Sequence, residues 1–174
     1  MTFSIRAIIR ALAAPKHRLS CPDKLWRQGL AEVARRGKGR HESGAFLLGR
    51  RHGSRGRVEQ FAYYDDFDPS CLDSGIVIFD GAGFGPLWEL CRQTGLTVLA
   101  DLHTHPSPGP TRQSTLDKDN PMIAQPGHVA LIVPNFAHNF KMEDIGVYEY
   151  LGSHNWCDHS GARSGGFFYT GIWA

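Results

Sequence analysis

The apolar and polar positions divide the chain into short segments. Leu25, Trp26, Leu30, Val33 and Ala34 recur at helical spacing behind the capping-box pattern of Ser20 and Asp23, and this helix is predicted to stop at Gly37. Residues 45–48 form an apolar run between glycines, too short for a helix and read as a buried strand. Residues 57–64 alternate moderately and are expected to pair with that run through a turn over 51–56. Residues 76–79 read as another short strand. A second helix is predicted from about residue 84 to residue 93, carrying Leu87, Trp88 and Leu90, with Gly95 as its stop signal. Residues 96–102 are rich in β-formers and lead directly into His103. Residues 129–133 and 145–150 read as further strands, and the aromatic stretch 166–173 is expected to dock on the body as a strand. Strands and helices mix without regular βαβ alternation, which predicts an α+β fold or a three-layer α/β/α sandwich.

Composition narrows the class. The 174 residues suit one domain spanning 1–174, and 41% hydrophobic with 21% charged residues is ordinary globular usage rather than that of a disordered chain. No apolar run approaches the roughly 18–20 residues that a membrane span needs. The first residues resemble a signal peptide, but Arg6 and Arg10 interrupt the apolar stretch, so the segment reads as uncleaved and the protein as cytoplasmic. Cys21, Cys71, Cys91 and Cys157 are far apart with no C-x-x-C pair, and reduced thiols are expected.

The net charge of +2 conceals an asymmetry. Residues 1–57 hold 14 Lys/Arg against 3 Asp/Glu (net +11), and residues 58–174 hold 5 against 14 (net −9). The favoured reading is a basic face set against an acidic one in the same domain, because no aromatic-interleaved basic stripe accompanies the charge. The cluster Arg35, Arg36, Lys38 and Arg40 remains a possible contact for an acidic partner, and no nucleic acid is expected.

The chemically informative run is Asp101-Leu102-His103-Thr104-His105-Pro106, followed by Ser114-Thr115-Leu116-Asp117. Alternation along a strand puts His103 and His105 on one face, and Pro106 ends the strand because it cannot donate to the ladder. After a Pro/Gly turn a short helix is expected, with Ser114 and Asp117 three apart and therefore on one side. Two imidazoles and one carboxylate make a three-ligand set for a catalytic Zn²⁺, with the fourth position left for water. Taken separately, Ser114 and Asp117 read as a capping box and the two histidines as a polar strand edge. The conjunction within fifteen residues is what points to chemistry.

That conjunction resembles the JAMM signature of JAB/MPN-type zinc metallopeptidases. The upstream stretch Glu42-Ser43-Gly44-Ala45-Phe46-Leu47-Leu48-Gly49-Arg50 is similar to the glutamate-bearing segment of bacterial members, and the match extends over about residues 23–150. Eleven residues lie between His105 and Asp117, about one more than is usual in that family. The resemblance implies a three-layer α/β/α sandwich with a curved mixed sheet flanked by helices, related to cytidine deaminases, with residues 151–174 docked as C-terminal strands. It implies that His103, His105 and Asp117 hold one Zn²⁺. Glu42 would be the general base and then acid, and Ser114 the hydrogen-bond donor to the developing oxyanion. It further implies peptide or isopeptide hydrolysis after the C-terminal tail of a ubiquitin-like protein, the tail adding as an extended strand near the metal. Residues 117–134 look closest to bacterial enzymes encoded beside ubiquitin-like conjugation genes, including Bil antiphage systems, which adds associated conjugation enzymes as partners. Alternatives are a peptidase acting on a sulfur-carrier protein or another peptide, and a non-catalytic MPN scaffold. Intact ligands count against the scaffold. Cytidine deamination itself is rejected, since H-x-E and P-C-x-x-C are both missing.

Other features are read as unrelated to catalysis. Residues 80–85 mimic a nucleotide loop with the wrong glycine spacing and are read as a turn before a helix. His154, Cys157 and His159 offer three of the four ligands that a structural zinc site takes. Phe167, Phe168, Tyr169 and Trp173 are assigned to packing. His128 is treated as a bystander whose replacement leaves metal binding unchanged, while His41 stands next to Glu42.

Overall fold

The computed structural model describes residues 17–161, 166–171 and 174. The leader-like stretch 1–16 and Trp173 lie outside them.

Among the described residues eight strands form one curled mixed sheet in an α+β fold with few helices. They are β1 (Leu19–Pro22), β2 (Gly44–His52), β3 (Arg55–Tyr63), β4 (Thr97–Thr104), β5 (Val129–Val133), β6 (Gly146–Gly152), β7 (Asn155–Asp158) and β8 (Phe168–Gly171). Their order is β7-β6-β5-β4-β2-β3-β1-β8. β1 runs parallel to both β3 and β8, and β4 runs parallel to β5. The remaining neighbours are antiparallel. The β2–β3 hairpin turns through Gly53 and Ser54, with His52 opposite Arg55, which is tighter than the six-residue turn predicted. Register shifts fall on both sides of β2 between Leu47 and Gly49, and such bulges bend a sheet.

The apolar run read as a buried strand lies in β2, and strand alternation divides its side chains between two cores. Ala45 and Leu47 pack with Trp26, Leu30 and Val33 of α1 (Asp23–Arg36). Phe46 and Leu48 pack with Leu87 of α2 (Phe84–Thr94). α2 ends as expected at Gly95, whose φ of 66° is the left-handed conformation that glycine adopts without a steric penalty. Among the described residues no helix is long and apolar enough to cross a membrane.

Two expected elements differ. Ser20 does not cap α1. It lies in β1, its hydroxyl donates to the Gly56 carbonyl at 3.5 Å, and the N-cap is Pro22 without a side-chain hydrogen bond. The capping pattern lost to strand pairing with β3 and β8. Residues 76–79 form no strand, because their amides are used elsewhere: Val77 N–H donates to the Glu42 carboxylate at 3.4 Å and Ile78 N–H to the Cys71 carbonyl at 3.0 Å.

The charge asymmetry is met by pairing across the chain. Arg36 donates to Asp65 and Asp66 at 2.6 Å each and lies over the Tyr63 ring at 4.2 Å. Arg18 reaches Glu149, and Arg50 pairs with Glu59. Arg36 is therefore engaged within the fold, while Arg35 pairs only with Glu32 on its own helix and stays exposed. All four cysteines are free, as expected, and burial pushes the Cys21 and Cys71 thiols up to about 12.

Glu32 accepts hydrogen bonds from Arg35 and Arg36, and Arg35 foremost holds its carboxyl down to about 2 from an ordinary 4.5. A depressed carboxyl stabilises the fold above its unfolded pKa and loses that contribution as pH falls through the folded one. Glu32→Gln is therefore expected to lower the thermal midpoint at neutral pH, by the equivalent of about 0.5–1 kcal/mol. Measured by calorimetry, the gap to the unaltered protein should shrink between pH 4.5 and pH 2.

Candidate metal centre

β4 carries Asp101 and His103 on one sheet face, opposite Ala130 and Ile132 of β5. The ladder continues one residue past the strand, because His105 N–H donates to the Val133 carbonyl at 2.9 Å. His105 therefore stays on the His103 face, and the two Nε2 atoms lie 3.1 Å apart.

The third group arrives from a loop pinned to the same sheet. Thr111 is buried: its hydroxyl donates to the Ile132 carbonyl at 2.6 Å and accepts from Gly146 N–H at 2.9 Å. This anchor ties the Pro/Gly connection to the sheet shortly before α3 (Thr115–Asp119). At its N-terminus Ser114 Oγ accepts from Asp117 N–H at 3.1 Å, and Asp117 Oδ2 accepts from Ser114 N–H at 2.7 Å. The capping box is real, and it is also what aims the carboxylate. Asp117 Oδ1 lies 3.4 Å from His103 Nε2 and Oδ2 lies 3.3 Å from His105 Nε2. Trp156 of β7 props α3 through a 3.2 Å bond from its indole N–H to the Lys118 carbonyl.

Glu42 is held beside them by its neighbour. Ser43 N–H donates to Thr104 Oγ1 at 3.1 Å, and Thr104 N–H donates back to the Ser43 carbonyl at 2.9 Å. Thr104 is the residue between the two histidines. Gly44 faces His103 across the ladder, where a side chain would collide with the Leu102 carbonyl and the Tyr64 ring, so glycine permits this close approach. Glu42, His103, His105, Ser114 and Asp117 thus line one cavity of about 380 Å³.

The charges of these groups act on one another. Burial disfavours a His103 cation, but the Asp101 and Asp117 carboxylates outweigh it and push its pKa up to about 10. Burial likewise raises Asp117, yet its bonds to His103 and His105 hold the carboxyl far below the usual range. Two imidazole nitrogens and a carboxylate oxygen within 4.8 Å of one another match the donors that zinc prefers. The other side of the His103 ring faces Asp101, whose Oδ2 is 3.9 Å from Nδ1. A carboxylate there favours the tautomer with the proton on Nδ1 and the lone pair on Nε2.

Sequence reasoning missed this supporting layer. Asp101 is buried, accepts from His128 Nε2 at 2.5 Å and from the Tyr64 hydroxyl at 3.3 Å. Asp101 was legible in principle, being two residues from His103 on the same strand. His128 left no such signal, because its approach depends on the parallel pairing of β4 with β5. It is no bystander, and the exposed His138 is the better control. Gln113 was missed as well. It is 7% exposed, lines the cavity, and neither Oε1 nor Nε2 has a hydrogen-bond partner. Leaving such a group unpaired costs about 1–3 kcal/mol.

His154, Cys157 and His159 are not gathered into a metal-binding group; among the described residues only His103, His105 and Asp117 are. His159 instead bonds Glu149 at 3.2 Å and stacks on Phe167. Residues 81–83 make a single 3₁₀ turn into α2, with the Asp80 carboxylate accepting from Ala82 N–H, as expected of a turn rather than a nucleotide loop.

No protein-family model matches the chain. Its fold is similar to the solution structure of a protein from Desulfitobacterium hafniense, with a TM-score of 0.59 and 19% identity over 87% of this chain and 92% of that one. A protein from Salinibacter ruber, also solved in solution, matches with a TM-score of 0.51 and 18% identity over 82% and 88% of the two chains. At these identities the likeness concerns the fold alone.

Asp101→Asn is expected to keep one metal site per chain but weaken Zn²⁺ affinity by about 10–100-fold, as read by competition with a chromogenic chelator. His138→Ala should leave the affinity unchanged.

Proposed function

We propose that this chain is a JAMM-type zinc metallopeptidase. Its substrate would be the C-terminal tail of a bacterial ubiquitin-like protein, cut from a conjugate or a precursor, in the cytoplasm and within an antiphage defence system. The observation that carries the reading is the convergence of His103, His105 and Asp117 with Ser114 and the sequence-distant Glu42 in one cavity. The packing of α1 and α2 against opposite faces of the sheet supports the three-layer α/β/α form that the resemblance implies.

When bound by His103, His105 and Asp117, a zinc ion would supply Lewis acidity and bring the pKa of a water towards about 7. Glu42 takes a proton from the attacking water and returns it to the departing amine. Ser114 donates its hydroxyl proton to the carbonyl oxygen as that oxygen becomes negative. The capping role does not compete with this, since Ser114 Oγ accepts the Asp117 amide through a lone pair and keeps its own proton. Residues 76–79 run beside Glu42 without joining the sheet, and Ile76 and Leu116, 40% and 53% exposed, form apolar lips to the cavity. Such lips suit the apolar side chains of a bound peptide.

The test is metal analysis of the purified chain, with intact-mass detection of cleavage of a ubiquitin-like protein bearing a C-terminal extension. One zinc per chain and release of the extension are expected; a chain that takes up no zinc would overturn the reading. Glu42→Gln is expected to retain zinc while turnover falls about 10²–10⁴-fold. Ser114→Ala should retain zinc at saturating metal, lower kcat about 10²–10³-fold, and lower the thermal midpoint by a lost cap worth about 1 kcal/mol.

A further inference from the structure

Gln113 stands immediately before Ser114, in the wall of the cavity that holds the three ligands. Its backbone is fixed by the Thr111 anchor on one side and the Ser114–Asp117 box on the other. Its carboxamide is more than nine-tenths buried, and both polar atoms lack a partner. Buried side-chain amides are ordinarily hydrogen-bonded, so an exception in a binding cavity marks a group kept for a ligand.

The chemistry of the wall narrows the ligand. Ala130, Met122, Leu116 and Trp156 are apolar, no Lys or Arg lines the cavity among the described residues, and the charged groups there are the acids and imidazoles already described. Apart from the His103, His105 and Asp117 set itself, an anion meets no basic side chain among the described lining residues. A carboxamide offers a donor and an acceptor side by side without net charge, which is the complement of a peptide group.

We propose that Gln113 is a specificity-determining residue that hydrogen-bonds one backbone peptide group of the bound substrate, next to the bond that is cut. The proposal rests on the peptidase reading and names the contact that selects an extended polypeptide over a small amide. Gln113 is set one residue from the oxyanion donor, so the peptide group it holds is registered against Ser114. Both amide atoms are closed off in the free protein, so a turn of the Gln113 side chain presents them as substrate enters, and the contact discriminates against chains that lack the peptide N–H or C=O.

The experiment uses the full zinc-loaded chain and a set of aliphatic tetrapeptidyl fluorogenic amides, each N-methylated at a different peptide bond. In the unaltered protein, N-methylation at one position is expected to raise KM about tenfold, the loss of one hydrogen bond. In Gln113→Met, KM for the unmethylated peptide should rise about tenfold with kcat within a factor of two, and methylation at that position should have no further effect. The thermal midpoint of Gln113→Met should hold or rise, since an unpaired buried amide has been removed. An unchanged KM overturns the proposal, as does equal sensitivity of both proteins to methylation at every position, or a lowered midpoint with unaltered kinetics. In those cases zinc binding and cleavage by the unaltered chain leave the peptidase reading standing. If the unaltered chain binds no zinc and cleaves no peptide, both fall.

Discussion

The Asp117 carboxylate closes the box at the start of α3 through Oδ2 and, with the same group, faces both imidazoles from 3.3 and 3.4 Å. Every other part of the centre depends on that double use. A five-residue helix has little stability of its own. It is held by the Thr111 anchor behind it and the Trp156 indole beside it. With the helix fixed, the carboxylate has one orientation, and the histidines, fixed by the β4–β5 ladder, have another. The two meet without either element being required to move.

A second arrangement supports the first from behind. Asp101 sits beneath His103 with His128 and Tyr64 as its own partners, so a buried carboxylate is satisfied on several sides at once. Charges in such a place persist only when paired. The Asp101 carboxylate biases which His103 nitrogen presents a lone pair to the cavity. Gln113, by contrast, is left without a partner a few residues away. Within one cavity wall the fold satisfies one polar group fully and leaves another open.

What the sequence made legible was local. His103, His105, Ser114 and Asp117 could be placed because strand alternation and a capping pattern act over a few residues. Glu42 was found through likeness to a segment, and its position follows from Ser43 gripping Thr104, a contact across the β2–β4 ladder that no local pattern encodes. The errors share the opposite origin. Ser20 carries a genuine capping pattern, yet parallel partners far along the chain drew it into β1. Residues 76–79 have strand composition, yet a carboxylate and a turn carbonyl took their amides first. His128 was dismissed because only the register of β5 against β4 brings it to Asp101. Propensity decided where no distant group competed, and long-range pairing decided elsewhere.

The placing of β1 between β3 and β8 sets an order on biosynthesis. Leu19 pairs with Phe168, so the earliest strand of the sheet waits for the latest one before its outer edge is covered. Contacts that join such remote segments form slowly, because the intervening chain must first be confined. The β2–β3 hairpin and the β4–β5 pair need no such delay. A nascent chain can therefore assemble its central strands on the ribosome while β1 still shows an open edge, and it is at that edge that a folding helper or a premature neighbour would engage it.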